Sequence, residues 1–119
     1  NNNPNPEKIF IKINKSLFEW VLENIIKNAV DAIGQEGEIN ISLQKTGKGV
    51  NIDVSDTGKG INKSDFKTIF KPGYTSKARG WGLGLSLANR IVSEYHKGEI
   101  RVLQSEINKG TTIRVSLYL

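Results

Sequence analysis

The most informative side chain in this sequence is a carboxylate that strand parity turns toward the core. Over residues 50–55 the even positions are apolar and the odd positions are polar, which is the two-residue period of a half-buried β-strand. Asp56 ends this series on the apolar face, where a carboxylate costs free energy unless a donor compensates it. Gly58 and Gly60 follow at once and allow a ligand to approach the backbone. We therefore interpret Asp56 as a residue that recognises a ligand.

Three polar side chains form a stripe along the edge of a predicted amphipathic helix. Asn24, Asn28 and Asp31 are spaced i, i+4 and i+7, between the apolar face and the solvent face. An amide oxygen at such an edge can complete the octahedral shell of a Mg²⁺ that is otherwise held by water and phosphate oxygens. The helix by itself favours the simpler interpretation, an ordinary boundary hydrated by water. The glycine pattern of the chain reverses that preference.

A glycine-rich segment precedes a second predicted helix. Gly80, Gly82 and Gly84 alternate just before this helix, where exposed N–H groups and the helix dipole can hold phosphate. The spacing is neither a dinucleotide-binding fingerprint nor a phosphate-binding loop that ends in Gly, Lys and Ser or Thr. A flexible glycine hinge would have the same composition. The segment thus indicates phosphate binding only in combination with the other motifs.

The hydrophobic periodicity predicts which elements position these residues. A capping box at Ser16 begins the first helix, which ends at Gly34; a short helix begins at Asn62, and the last helix begins at Gly84 with an apolar face that extends to Tyr95. The segment 71–83 is predicted to be a mobile loop, and five strands are predicted at 9–13, 39–43, 50–56, 99–104 and 111–119. We expect an α+β sandwich, with a mixed, mostly antiparallel sheet of about five strands and helices on one face.

Length and composition are those of one compact domain. The chain has 119 residues, no Cys and no Met, so a disulfide, a thiolate metal site and a thiol nucleophile are excluded. Lys and Arg total 17 against 12 Asp and Glu, and the net charge of +5 favours anionic partners. No apolar run reaches the length of a membrane span. We expect a soluble piece of a longer protein, with a linker at residues 1–6 and a domain over 7–119.

In chain order, four segments resemble the motifs of the catalytic, ATP-binding domain of sensor histidine kinases. They are similar to the family's asparagine box (ENIIKNAVDA), first glycine box (DVSDTGKGI), phenylalanine box with lid (FKTIFKPGYTSK) and second glycine box (GWGLGLSLANRIV). The superfamily also contains DNA gyrase B, Hsp90 and MutL. The resemblance covers nearly the whole chain from about Ile9. It implies the Bergerat ATP-binding fold, with ATP and Mg²⁺ as cofactors.

The resemblance also implies a role for each matching position. Asn28 would be the protein ligand of Mg²⁺, and Asp56 would accept a hydrogen bond from the adenine amino group, which guanine lacks. Asn24 and the lid residue Lys77 would be the catalytic residues, beside the phosphates. The other nucleotide contacts would come from both glycine boxes, the lid and one late strand: Asp31, Gly58, Gly60, Ile61, Tyr74, Thr75, Ser76, Arg79, Gly80, Gly82, Leu83, Gly84, Leu85 and Thr111.

The implied function is that of a two-component histidine kinase. The domain would donate the γ-phosphate of ATP to a histidine on a separate dimerisation domain, absent here, for relay to a response regulator. His96, the one histidine, ends the last helix and reads as a helix-terminal cation rather than the phosphoacceptor. We expect a cytoplasmic location, no nucleic acid or membrane contact, a monomeric fragment, a homodimeric full-length protein, and only binding or slow hydrolysis of ATP by the fragment alone.

Several other functions are compatible with parts of the sequence. Within the superfamily, another ATPase or an anti-sigma serine kinase would share the motifs, although gyrase-type members usually have Glu where Asn24 stands. The triplet Asp56, Thr57, Gly58 also occurs in aspartic proteases, but an apolar residue should follow it in an all-β chain, and here Lys59 follows. A basic nucleic-acid-binding module would fit the net charge, yet the lysines are scattered rather than clustered.

Overall fold

The computed structural model describes residues 12–72 and 84–118 as one layer of helices on one antiparallel sheet. The elements, in chain order, are α1 (Lys15–Ile33), β1 (Ile39–Lys45), β2 (Gly49–Asp56), the 3₁₀ turns Lys63–Asp65 and Thr68–Phe70, α2 (Gly84–Arg90) with the π-helical turn Ile91–Tyr95, β3 (Glu99–Glu106) and β4 (Gly110–Tyr118). No helix in these two ranges is both long and apolar enough to cross a membrane.

The four strands are arranged in the order β1-β2-β4-β3, and every pairing among them is antiparallel. The predicted sandwich is confirmed, but the described sheet has four strands and no parallel pair, where about five mixed strands were expected. The predicted strand at 9–13 falls mostly outside the described residues, and Lys12 and Ile13 within them are not strand. The central strands β2 and β4 therefore carry most of the sheet's contacts with the helices.

Helix α1 begins two residues earlier than the capping box predicted. Asn14 is the N-cap, with extended backbone angles and a side-chain oxygen that accepts from the Leu17 amide at 3.1 Å. Asn is as good an N-cap as Ser, so the choice between Asn14 and Ser16 depends on how the chain enters the helix. The predicted end is confirmed, because Gly34 adopts φ +83° and its amide bonds to the Val30 carbonyl.

The core lies between the helices and one face of the sheet. Helix α1 buries Phe18, Val21, Ile25 and Ala29, and the last helix buries Ala88 and Val92. They pack against the inward side chains of the strands, which are Val50, Ile52, Val54, Ile100, Ile113, Val115 and Leu117. The even residues of β2 are thus buried, as the parity of the sequence predicted.

The last helix departs from regular α geometry. After Arg90 it continues as a π-helical turn over Ile91–Tyr95, which advances each residue by a smaller angle than an α-helix does. Tyr95 was predicted on the apolar face but is 66% exposed, because the wider turn rotates it away from the core. The predicted short helix after Asn62 is likewise only two 3₁₀ turns.

His96 connects the end of this turn to the beginning of α1. Its Nε2 accepts from the Asn14 amide at 2.9 Å, its Nδ1 lies 3.1 Å from the Ile91 carbonyl, and its ring meets Phe18 edge-on. An imidazole that accepts at Nε2 and donates at Nδ1 is neutral. The interpretation of His96 as a helix-terminal cation is therefore wrong, and the ring is a neutral clamp between two helices.

Candidate functional site

Asp56 lies at the end of β2 on the face that carries the helices. Only 8% of the residue is exposed, and its Oδ1 accepts from the Gly58 amide at 2.8 Å. Burial raises the pKa of the Asp56 carboxyl above its usual value of 3.8, while backbone hydrogen bonds from Gly58 and Thr111 lower it by a smaller amount. The predicted inward orientation is confirmed. The backbone donors offset only part of the cost of burying this carboxylate. A further hydrogen-bond donor would therefore stabilise its ionised form.

The loop after Asp56 is fastened to the last turn of α1. The Lys59 amide donates to the Ala32 carbonyl at 3.0 Å, and a Cβ at Gly58 would lie 2.5 Å from that carbonyl's carbon and oxygen. On the preceding side, Thr57 and Glu38 exchange two hydrogen bonds of 2.9 and 3.2 Å. Gly58 is thus required by the close approach of the protein's own helix. The prediction explained it by the approach of a ligand.

Gly60 allows a second neighbour, the hairpin of β3 and β4, to pack closely against the loop. It adopts φ +79°, and a Cβ there would collide with the carbonyl of Glu106, the last residue of β3 before the turn to β4. The Asn108 amide, in the turn between β3 and β4, donates to the Lys59 carbonyl at 2.8 Å. The first glycine segment is consequently held between α1 on one side and the β3–β4 turn on the other, which gives Asp56 a rigid surrounding.

Ser105 is a site residue that the sequence reasoning missed. Its Oγ accepts from the Ile61 amide at 2.7 Å, donates to the Gly110 carbonyl at 3.0 Å and lies 2.7 Å from the Thr111 hydroxyl. Thr111, a predicted contact, is 5% exposed and pairs directly with Asp56 in the sheet. The only available signal was a lone serine near the end of a predicted strand, which by itself indicates nothing.

The stripe of polar residues on α1 meets the beginning of α2. The Asn24 amide nitrogen donates to the Trp20 carbonyl one turn earlier, at 2.8 Å, which fixes the orientation of the side chain. Its oxygen then faces Gly84, where a Cβ would lie only 2.8 Å away. Asn28 and Asp31 are half-buried on the same edge of the helix. The structure therefore brings the asparagine box and the start of the second glycine-box helix together, as the prediction required.

The predicted site residues fall into two sets. Ten of the predicted positions are described, and they lie on α1, at the end of β2 and in the loop after it, at the start of α2 and at the start of β4: Asn24, Asn28, Asp31, Asp56, Gly58, Gly60, Ile61, Gly84, Leu85 and Thr111. The remaining eight lie outside the described residues and stay predictions: Tyr74, Thr75, Ser76, Lys77, Arg79, Gly80, Gly82 and Leu83.

The oxygen donors on this surface suit a metal ion that is held mainly by a nucleotide rather than by protein side chains. Within residues 12–72 and 84–118, no three His, Cys, Asp or Glu side chains converge on one point. The amide oxygens of the α1 stripe remain as candidate protein ligands. An amide, waters and phosphate oxygens form the kind of shell that Mg²⁺ adopts when it arrives with a nucleotide. The residues present therefore fit a nucleotide-borne Mg²⁺ better than a permanent protein-only site.

A cavity of about 380 Å³ opens around the ends of β2, β3 and β4. Asp56, Ser105 and Thr111 belong to its lining, and so do Ser55 and Thr112, which hydrogen-bond to each other at 2.7 Å. Ser55 and Thr112 point to the face of the sheet that carries no helix. The cavity therefore extends around the strand ends and is not the space between Asp56 and α1.

Comparison with known proteins identifies the family. Residues 13–119 match the family described as histidine kinase-, DNA gyrase B-, and HSP90-like ATPase. The chain belongs to this ATPase family. The family resemblance stated from the sequence is confirmed, and this ATPase domain is an ATP-binding domain of the histidine kinase type.

Named relatives of this ATPase domain are bacterial kinases. It is 45% identical over 97 residues to the sensor histidine kinase ZraS of Escherichia coli (strain K12), which is 82% of this chain and 20% of ZraS. It is 41% identical over 99 residues to sporulation kinase C of Bacillus subtilis (strain 168), which is 83% of this chain and 23% of that protein. The chain thus spans about a fifth of the length of these curated relatives.

A solved structure supports the same assignment. The nucleotide-free catalytic domain of histidine kinase ThkA matches this ATPase domain with a TM-score of 0.83 at 28% identity, over 96% of this chain and 75% of that one. The fold, the buried aspartate and the α1 stripe therefore favour the kinase-type ATPase over the protease half and the nucleic-acid module considered from the sequence.

Proposed function

We propose that this chain is the catalytic domain of a two-component sensor histidine kinase, which binds Mg²⁺-ATP and presents its γ-phosphate to a histidine on a separate dimerisation domain. The observation that carries the proposal is the buried Asp56 carboxylate, held by backbone amides at the end of β2. The kinase relatives support the phosphotransfer chemistry. The chain spans about a fifth of the length of these relatives, and we assign the acceptor histidine to a separate dimerisation domain.

Base selection follows from the chemistry of that carboxylate. A buried, ionised Asp56 can accept a hydrogen bond from the exocyclic amino group of adenine. Guanine would present a carbonyl oxygen to it, which leaves a desolvated charge without a donor and adds electrostatic repulsion. We therefore expect ATP and ADP to bind and GTP to bind much more weakly.

Phosphate and metal binding are assigned to Asn24 and Asn28 of the α1 stripe. Asn28 would ligate Mg²⁺, and Asn24, whose oxygen faces the start of α2, would lie beside the phosphates. Lys77 and Arg79 would neutralise phosphate charge from the lid, with backbone amides of the second glycine box. Bound Mg²⁺ supplies charge neutralisation, and the protein supplies positioning, which are the two main requirements of phosphoryl transfer.

The partners follow from the same assignment. The histidine-bearing dimerisation domain of the same protein would receive the phosphate and pass it to a response regulator. One solved structure of similar fold, with 25% identity and a TM-score of 0.80, is histidine kinase ThkA in complex with the response regulator TrrA. We propose a cytoplasmic location and a homodimeric full-length protein, with this domain monomeric by itself.

Nucleotide titration tests the binding part of the proposal. Thermal unfolding of the 119-residue chain is followed with ATP, ADP and GTP, with and without Mg²⁺. ATP and ADP should raise the unfolding temperature by mass action, and GTP should not at equal concentration. Asn28→Ala should remove the effect of Mg²⁺, and Asn40→Ala, on the exposed edge of β1, is a matched control. Equal shifts with ATP and GTP would contradict the proposal.

Phosphotransfer is tested with the longer protein. The domain is mixed with the histidine-bearing segment of the same protein and labelled ATP, and acid-labile, base-stable phosphate on that segment is measured. Asn24→Ala should suppress the transfer while nucleotide still binds. Steady phosphate release without any labelled histidine would instead favour the superfamily ATPase.

A further inference from the structure

Ser105 is a junction between three separate pieces of backbone near Asp56. A serine hydroxyl offers one donor and accepts twice. Here it accepts from the Ile61 amide, donates to the Gly110 carbonyl and can accept from the Thr111 hydroxyl, at 2.7, 3.0 and 2.7 Å. Its hydrogen-bonding capacity is therefore fully used, and all of it is directed at the loop after β2 and the start of β4.

An irregularity in β3 turns this serine inward. Ile100 and Val102 face the core, and regular alternation would place Gln104 on that face next. The register shifts between Val102 and Gln104, so that Gln104 pairs with Thr112 and Ser105 pairs with Thr111 on the helix side. β-Bulges are common next to active sites, where they re-aim a side chain. The bulge thus delivers the hydroxyl to the end of β2.

The pieces that Ser105 connects are those that surround the Asp56 carboxylate. Ile61 ends the glycine segment that begins with the Asp56 acceptor contact to Gly58. Thr111 lies directly opposite Asp56 in the sheet, and the proximity of its backbone amide lowers the pKa of the Asp56 carboxyl. Movement of Ile61 away from Thr111 would widen the site and weaken that donor.

We propose that Ser105 is a positioning residue for base recognition: its hydroxyl holds the Ile61 and Thr111 segments at the separation that aims the Asp56 carboxylate at the adenine amino group. This inference rests on the proposed function, because it assigns Ser105 to the base end of that nucleotide site. Since the inference places Ser105 at the base end of the site, we expect its contribution to be the same for ATP, ADP and adenosine.

The test compares Ser105→Ala and Ser105→Thr in the full 119-residue chain. Ser116→Ala is the matched control, since Ser116 is a buried serine of β4 whose hydroxyl also hydrogen-bonds within the sheet, to Asn51 at 2.8 Å, but on the face that carries no helix. Calorimetry measures the affinity for Mg²⁺-ADP, and urea unfolding checks that each variant is folded. Ser105→Ala should bind about tenfold more weakly, the equivalent of about one hydrogen bond. Ser105→Thr should stay within about threefold of the parent, as should Ser116→Ala.

A pH profile separates positioning from simple loss of stability. Binding requires an ionised Asp56, so the affinity falls as pH decreases through the pKa of that carboxyl. Loss of the ordered Thr111 donor in Ser105→Ala should move the midpoint of this decrease to higher pH, which a partly unfolded protein would not do. Protonation of the ADP phosphates and the nearby charges of Asp31, Lys59, Glu106 and Lys109 are common to both proteins and cancel in the ratio.

The outcomes distinguish the inference from the proposed function. If the parent binds ADP and Ser105→Ala binds equally well with an unchanged midpoint, the role of Ser105 is overturned and the proposed function stands. If the parent binds no adenine nucleotide, both are overturned. If Ser105→Ala does not fold, Ser105→Cys, whose thiol is a poor hydrogen-bonding partner, takes its place; a loss of affinity there supports the inference, and parent-like affinity overturns it.

Discussion

Two aspartates on β2 have opposite environments, although they are only three residues apart. Asp53 faces the helix-free side of the sheet and forms a bidentate ion pair with Arg114 on the neighbouring strand β4, with N–O distances of 2.7 and 2.8 Å. Asp56 faces the helices and is held by backbone amides, among them that of Gly58. The first carboxylate has a permanent counter-charge within the protein. The second is desolvated, and among residues 12–72 and 84–118 its recorded partners are backbone amides rather than a cation, which is how a protein keeps a carboxylate available for a ligand.

The comparison therefore separates a structural aspartate, Asp53, from the proposed binding aspartate, Asp56, by strand parity alone. An odd position on β2 meets polar neighbours of the open face, and an even position meets the core. The paired Asp53 is expected to contribute to stability and the buried Asp56 to function.

The largest expected effect comes from removing each charge in turn. Asp56→Asn should weaken ATP binding by about a hundredfold, since a buried charge-assisted hydrogen bond contributes about 1.5–3 kcal/mol, and it should not lower stability. Asp53→Asn should leave ATP binding within about twofold of the parent, but it should lower the free energy of unfolding by about 1–3 kcal/mol, because it leaves Arg114 poorly paired. Calorimetry and urea unfolding measure the two quantities. A loss of ATP affinity in Asp53→Asn alone would break the distinction.

The next effect tests how rigidly the surroundings of Asp56 are built. Gly58→Ala would place a methyl group against the Ala32 carbonyl, so we expect a loss of about 1–3 kcal/mol in unfolding free energy together with weaker ADP binding. Gly47→Ala is the matched control, because no atom lies within 4 Å of a Cβ there. A fully stable Gly58→Ala variant would mean that the loop does not depend on its contact with α1.

A smaller effect concerns the pH dependence of stability, which tests the ionisation of Asp56. Burial raises the pKa of Asp56 in the folded state above 3.8, so the folded protein binds more protons than the unfolded chain between these two values. The stability contributed by protonated Asp56 is present below pH 3.8 and is lost as pH rises through the folded pKa. Relative to Asp56→Asn, the parent should therefore become less stable with rising pH in this window, while its ADP affinity increases. Urea unfolding of both proteins across the window measures the difference; a parent that gains relative stability would contradict the sign.

The smallest effect lies at the far end of the domain. His96→Ala removes the clamp between α1 and the π-helical turn and should cost about 1 kcal/mol of unfolding free energy, the worth of one hydrogen bond, with ADP affinity unchanged. Tyr95→Ala, at an exposed neighbouring position, should change stability by less than about 0.5 kcal/mol. In the phosphotransfer assay, the His96→Ala domain should still label the separate histidine-bearing segment. Lost labelling would identify His96 with the chemistry.

Much of this arrangement could be predicted because it follows from periodicity and from motif order. The parity of β2 placed Asp56, and the helical spacing placed Asn24 and Asn28 on one edge. The bulge that turns Ser105 inward follows no period, because it depends on how β3 fits β4. The exposure of Tyr95 likewise depends on a π-helical turn set by tertiary packing. The contact of Gly58 with α1 depends on the tertiary structure, since a sequence does not show which neighbour packs against a glycine.

The most direct test of the central claim compares ADP with its 6-deamino analogue, purine riboside diphosphate, by calorimetry with Mg²⁺. The two ligands differ only in the amino group that Asp56 is proposed to accept from. The account predicts that the parent binds ADP about tenfold or more tightly than the analogue, and that Asp56→Asn loses most of this preference. Equal affinity of the parent for both ligands would contradict the account.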